Sequence, residues 1–233
     1  MSTETRTSTI WASALTLLGL AILITLGTWQ LQRLEWKNDM IAALDRAYSQ
    51  DTPQAIDLSN TEQDYTYGRI SGVLLTDKAF LMGPPSMKDE MPGYHLIVPI
   101  KHNEQTLLID MGWTPEALEA QPLQNLKDKK IAFHGLLKRS HWNVFTPINL
   151  PEQDVWYRLD IEEIATAKDL ENLYPSRLIA DKADHDFGQS FFTDTAENRL
   201  APNNNHLQYA LFWYAMAGAL LVVYLLRFIV KKK

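Results

Sequence analysis

Two stretches of the chain are almost wholly apolar, one near each end. Residues 10–29 run from Ile10-Trp11-Ala12 to Leu26-Gly27-Thr28-Trp29 without a charge. Residues 207–230 carry no charge before Arg227 and no proline. Each meets the roughly 20 apolar residues, at ~1.5 Å rise per residue, that a helix needs to cross a bilayer. Trp29, Arg33, Trp36 and Lys37 recur at helical spacing, so the first helix is expected to continue past the membrane. Residues 40–48 extend it as an amphipathic segment. A cleaved signal peptide is the competing reading of the first run. Its length, the lone Arg6 before it and the lack of a small-x-small site before Trp29 favour an uncleaved anchor.

Between these runs the pattern changes to short alternating stretches punctuated by glycine and proline. Strands are predicted over 65–75, 79–82, 94–100, 106–111, 131–137, 155–159 and 177–180. The polar His102-Asn103-Glu104-Gln105 marks a hairpin. Two short helices are predicted: 115–120, entered through Thr114 with Pro115 at its first position, and 161–172, capped by Asp160. Gly68, Gly72 and Gly135 fall inside strands, where glycine marks the bulges and bends that close a small barrel. The expected fold class is an α+β membrane protein. Two transmembrane helices flank an external antiparallel β-rich domain, barrel-like or sandwich-like, with few helices. The expected segments are a tail at 1–9, a first span at 10–31, the external domain at 32–205, a second span at 206–228 and a tail at 229–233.

Charge sharpens this division. Of 28 acidic residues only Glu4 lies outside residues 32–205, whereas Arg6, Arg227 and Lys231 to Lys233 are basic and outside it. The external domain is therefore strongly acidic, which argues against nucleic acid as a partner. The basic cluster after the second span places the C-terminus on the cytoplasmic side. Two spans then put the N-terminus there too and the middle domain outside. There is no cysteine, hence no disulfide, thiolate metal site or cysteine nucleophile.

Chemistry-bearing residues are sparse in the middle domain. His95, His102, His134, His141 and His185 show no tight metal-ligand spacing. Asp110 stands in an otherwise apolar strand, where it is expected to face solvent or cap a turn; an acid–base role would need a partner that spacing does not reveal. Ser86 and Ser140 lack a nucleophile-elbow context, and no Gly-rich loop leads from a strand into a helix.

The mouth of the second helix is more suggestive. Asn204 or Asn205 is placed to N-cap it. His206, Ala210, Trp213 and Ala217 share one face, at i, i+4, i+7 and i+11, with Tyr209 beside them. Two readings stand here. An imidazole above small residues and a flat aromatic suits a haem. Equally, these aromatics are an interfacial belt and the alanines a helix-packing surface, with Gly27 at matching depth on the first helix.

Both ends also carry longer signatures. Gly27-Thr28-Trp29-Gln30-Leu31-Gln32-Arg33-Leu34-Glu35-Trp36-Lys37 resembles the G-x-W-Q-x-x-R-x-x-W-K signature of the Surfeit-locus-one (Shy-one) family. Asn204-Asn205-His206-Leu207-Gln208-Tyr209-Ala210 with Trp213 is similar to its closing N-x-H-x-x-Y-A-x-x-W signature. Gly83-Pro84, Pro92-Gly93-Tyr94, Gly112-Trp113-Thr114-Pro115 and the stretch 149–156 fall between them in the expected order. Met111 and Pro85 stand where the family usually has arginines, and Phe212 where it has threonine.

The resemblance implies a non-enzymatic assembly factor for haem-copper cytochrome c oxidase that binds haem a and assists its insertion into subunit I. It equally admits a cofactor-free scaffold for a subunit I intermediate. By that resemblance His206 is the haem-iron ligand, and Tyr209, Trp213, Trp29 and Arg33 face the pocket or a propionate. Implied partners are subunit I, haem a synthase and the lipid bilayer. Only nine residues precede the first span and none forms an Arg-rich presequence, so the expected location is a bacterial inner membrane with the middle domain periplasmic.

Overall fold

The computed structural model describes residues 3–49, 53–88, 91–115, 123, 126–185, 187, 200 and 204–228. The chain divides into two compact units. One comprises Met1–Ala42 with Pro202–Lys233, and the other Ala43–Ala201. Of the helix predicted at 115–120, Pro115 instead ends a strand and pairs with Gly93, and 116–120 lie outside the described residues, as do the tail at 229–233 and most of the loop before the second apolar run.

The first unit is built from two helices. Helix α1, Thr3–Tyr48, is continuous, and its last turns belong to the second unit. Helix α3, His206–Phe228, holds the second apolar run. Both are long and apolar enough to cross a bilayer. Their outer faces present Ile10, Trp11, Leu15, Leu17, Leu18, Leu211, Val223 and Leu226 with half or more of each side chain exposed.

The pair is antiparallel, and its seam alternates small residues with tyrosines. Ser13 Oγ meets Tyr224 Oη at 2.6 Å near one end, and Asn204 Nδ2 donates to Asn38 Oδ1 at 2.9 Å near the other. Between them a Cβ on Gly27 would lie 2.9 Å from the Tyr214 ring, and Tyr214 Oη meets Thr28 Oγ1 at 3.1 Å. Ala210 and Ala217 are buried in this seam. Small residues let the two helix backbones approach closely.

The second unit is a seven-stranded mixed sheet. Its strands are β1 (Gln54–Ala55), β2 (Thr66–Leu74), β3 (Phe80–Lys88), β4 (Met91–His102), β5 (Gln105–Pro115), β6 (Lys130–Arg139) and β7 (Leu173–Ala183), with helix α2 at Ile161–Lys168. The order is β1-β2-β6-β7-β5-β4-β3, and a further pairing of β2 with β4, Val73 to Lys101 and Leu74 to Ile100, curls it into a barrel. Alternating residues fill the interior: Ile70 and Leu74, Val98 and Ile100, Leu107 and Ile109, Phe133 and Leu137, Leu178 and Ala180.

Two strand glycines permit this closure. A Cβ on Gly72 would lie 2.8 Å from the Lys101 carbonyl where β2 meets β4, and one on Gly135 would lie 2.1 Å from the Ile179 carbonyl at a register shift between β6 and β7. The expectation that these glycines serve tight bends holds at both positions.

The outer face carries two smaller clusters. The end of α1 lays Leu44 and Ala47 on Leu136 and Ile179. The segment from Trp156 through α2 packs Trp156, Leu159, Ile164 and Leu170 against Phe80, Ile97 and Leu108.

Three expectations are corrected. The sheet is mixed, not antiparallel, because β7 enters between β6 and β5 after the α2 crossover and runs parallel to β5. Residues 155–159 form no strand. Asn149 Oδ1 accepts the N–H groups of Tyr157 and Arg158, both at 2.8 Å, and removes them from any ladder. Helix α2 starts as predicted, with Asp160 accepting from the Glu163 N–H, but it ends at Lys168 because Asp169 turns left-handed at φ 52°.

Candidate functional site

The mouth of α3 lies within the two-helix unit. His206 opens the helix, and its Nδ1 is 2.6 Å from Gln30 Oε1 on α1. The amide oxygen only accepts, so Nδ1 carries the proton and Nε2 keeps its lone pair. Nε2 has no hydrogen-bond partner among the described residues. Metal-ligating histidines are oriented in this way, with the other ring nitrogen donating to a fixed acceptor.

Two cations stand near this imidazole, and the charges of Lys37 and Arg33 both act on it. The Arg33 guanidinium also lies 3.8 Å from the centre of the Trp36 ring. Gln30, Arg33 and Lys37 follow at i, i+3 and i+7 along α1, which puts them on neighbouring turns of one side.

The structure does not gather all the candidate residues around His206. Trp29 is 53% and Tyr209 54% exposed, and neither side chain makes a hydrogen bond or ring contact among the described residues. Trp213 is half-buried and stands edge-to-face with Phe212 at 5.4 Å. The aromatic facing α1 is Tyr214, one residue on from Trp213. Ala210, read from spacing as the floor of a gap for a macrocycle, is buried in the helix seam instead. The expected asparagine cap is not formed by Asn204, whose amide nitrogen donates to Asn38.

Gln30 and Lys37 stand in the first signature, Lys37 as part of its helical recurrence, but neither is among the residues expected at the site. The available signal was their phase: Gln30 is one turn beyond Gly27, on the edge that meets α3. Its partner lies 176 residues away, beyond the reach of any spacing rule.

The sheet domain holds a second polar constellation. Asp110 is 1% exposed and does not face solvent. It does cap a turn, as one of its two expected roles required: Oδ1 accepts the Gly112 N–H at 2.9 Å. The same oxygen lies 3.0 Å from His95 Nδ1, and Oδ2 lies 3.5 Å from Arg177 Nε. This is a buried carboxylate with one cation, Arg177, and an imidazole at hydrogen-bond distance. His102 Nδ1 meets the Ser71 carbonyl at 2.6 Å and His134 Nε2 meets Asp184 at 3.3 Å. Met111, where the resembled family carries arginine, is fully buried in the barrel interior.

Comparison with known proteins points the same way as the two terminal signatures. The model of the SURF1 family matches residues 17–218, from within α1 to within α3. A SURF1-like protein of Rickettsia bellii is 31% identical over 210 residues, covering 87% of this chain and 85% of its own. One from Rickettsia conorii is 32% identical over 213 residues, covering 88% and 86%. The Surfeit locus protein 1 of Gallus gallus is 26% identical over 230 residues, covering 88% and 72%. The match reaches into both helices and covers the whole sheet domain between them, and on it the chain belongs to the SURF1 family.

Proposed function

We propose that this chain is a membrane-anchored, non-enzymatic assembly factor for haem-copper cytochrome c oxidase that holds haem a at the mouth of α3 and assists its insertion into subunit I. The observation that carries the reading is the His206–Gln30 pair. It fixes the imidazole tautomer and presents Nε2, the atom an axial haem ligand must supply. Arg33 and Lys37 provide two cations for two propionates through charge-assisted hydrogen bonds. Trp29, Tyr209 and Trp213 offer apolar faces to the rest of the ligand. The two helices span a bacterial inner membrane, and the positive charge after α3 keeps both termini cytoplasmic and the sheet domain periplasmic. Subunit I and haem a synthase are the corresponding partners.

One observation favours the second reading, a cofactor-free scaffold for a subunit I intermediate. The seam is closed where Gly27 meets Tyr214, so haem has no slot between the helices and must lie on their outer side. The two readings separate on an optical spectrum of the detergent-purified protein, co-expressed with the enzymes of haem a synthesis, beside His206→Ala. Haem a present in the parent and lost in the variant supports the first. Undiminished haem in His206→Ala sinks the ligand assignment, and no haem in either protein turns the conclusion to the scaffold.

A further inference from the structure

The sheet domain exposes an apolar loop in front of a cationic cavity. The loop follows β6. Within it Val144 and Phe145 are each 89% exposed, Ile148 65% and Trp142 44%. This exposure is built rather than frayed. Asn143 Oδ1 accepts the Phe145 N–H at 2.9 Å, and its backbone carbonyl accepts the Thr146 N–H at 3.0 Å. Arg158 clamps the far side, donating from Nε to the carbonyls of Thr146 at 3.1 Å and Pro147 at 2.8 Å. Asn149, buried, ties the loop's return to Tyr157 and Arg158.

Behind the loop is a cavity of about 210 Å³, lined among others by Lys138, Arg139, Ser140, His141, Arg158 and Arg177. Asp110 answers Arg177, and Glu62 answers Arg139 at 3.0 Å. Lys138 and Arg158 meet no carboxylate among the described residues. Lys138 donates to Tyr65 Oη, and Arg158 bonds only carbonyls. The local sequence agrees: from Lys129 to Pro151 there is no acidic residue, in a chain that holds 28.

We propose that this loop and cavity form a docking surface for an anionic phospholipid bilayer. Trp142, Val144, Phe145 and Ile148 enter the interface, and Lys138 and Arg158 receive the headgroup phosphates. Exposed aromatic and aliphatic side chains beside two cations that no carboxylate answers, on a stretch of chain without acids, match the interfacial region of a bilayer with a negative surface. An acidic protein surface would match the cations but would leave Val144 and Phe145 without apolar cover. The inference rests on the reading of the two helices as membrane spans, and not on haem.

The absence of cysteine makes the test direct. Full-length protein carrying Val144→Cys, labelled with a nitroxide, is reconstituted into vesicles of phosphatidylcholine alone and of phosphatidylcholine mixed with phosphatidylglycerol. Lys182→Cys, on exposed β7 backbone, is the water-facing control. At Val144 the label gains access to oxygen and loses access to a water-soluble nickel reagent in the anionic vesicles. Lys138→Gln lowers the inserted fraction's equilibrium about fivefold, the weight of one cation near an anionic surface. A label equally open to nickel in both vesicles overturns the proposal. So does equal burial in both, which would mean no headgroup recognition, and so does shielding that appears only when oxidase subunits are added. Protein that co-floats with vesicles while its loop stays in water would keep the spans and discard the docking surface.

Discussion

Replacing Gln30 by leucine tests whether the His206 geometry does chemical work. The change removes the acceptor 2.6 Å from Nδ1 and keeps the bulk of the side chain. Loss of such an outer partner lowers metal affinity about 10–100-fold, or about 1.4–2.8 kcal/mol. As a plain hydrogen bond the same contact is worth only about 0.5–1.5 kcal/mol of fold stability. The helix pair keeps its other ties, Ser13–Tyr224, Thr28–Tyr214 and Asn38–Asn204, so pairing is expected to persist. The assay is titration of haem a into detergent-solubilised apoprotein, followed in the Soret region. Gln30→Leu is expected to weaken binding within that range. Gln30→Glu, which keeps an acceptor and adds a charge near Arg33 and Lys37, is expected to retain affinity and shift the haem potential negative, since a more basic imidazole favours the oxidised iron. If Gln30→Leu binds within twofold of the parent while His206→Ala does not bind, the Nδ1 contact is incidental and the orientation argument fails.

Two further predictions concern the sheet domain. Gly135→Ala places a Cβ 2.1 Å from the Ile179 carbonyl and 2.8 Å from Ala180 Cα, both backbone, so β6 and β7 must part by more than 1 Å (about) to reach ordinary contact. Overpacking of this kind costs about 1–3 kcal/mol or more, whereas Gly218→Ala, with nothing within 4 Å, is expected to be neutral or stabilising; urea unfolding of the purified chain separates them. For pH dependence, the hydrogen bond from Arg69 holds the Asp184 carboxyl below its ordinary value, with a smaller contribution from His134. A depressed carboxylate contributes stability above the ordinary carboxylate range and loses it as pH falls through the folded value. Arg69→Gln is therefore expected to raise the Asp184 titration seen by carbon-detected NMR and to flatten the acid limb of the stability curve; an unmoved titration contradicts the pairing.

Much of the architecture was legible from local pattern. The two apolar runs specify helices long and apolar enough to cross a bilayer, because length and composition alone carry that signal. Alternation located β2, β4, β5 and β6 to within a few residues, and Asp160 marked the start of α2 because capping is a contact three residues long. The terminal signatures sufficed for the family. Arrangement was not legible. Periodicity names a face but not its partner: Trp213 and Tyr214 are one step apart on α3, and only the packing of Gly27 selects Tyr214.

Three outcomes belong to the tertiary structure alone, for one physical reason. The entry of β7 between β6 and β5 depends on a crossover rather than on any strand's composition. The burial of Asp110 depends on polar partners from two other strands, His95 on β4 and Arg177 on β7. The Gln30–His206 bond joins the two ends of the chain. Each is a pairing between residues far apart in sequence. The sequence by itself determined which segments are helical, which alternate and where the charge lies. Closure of the chain in space decided which polar groups met, because a hydrogen bond or ion pair depends on distance and angle, and neither is written in local order.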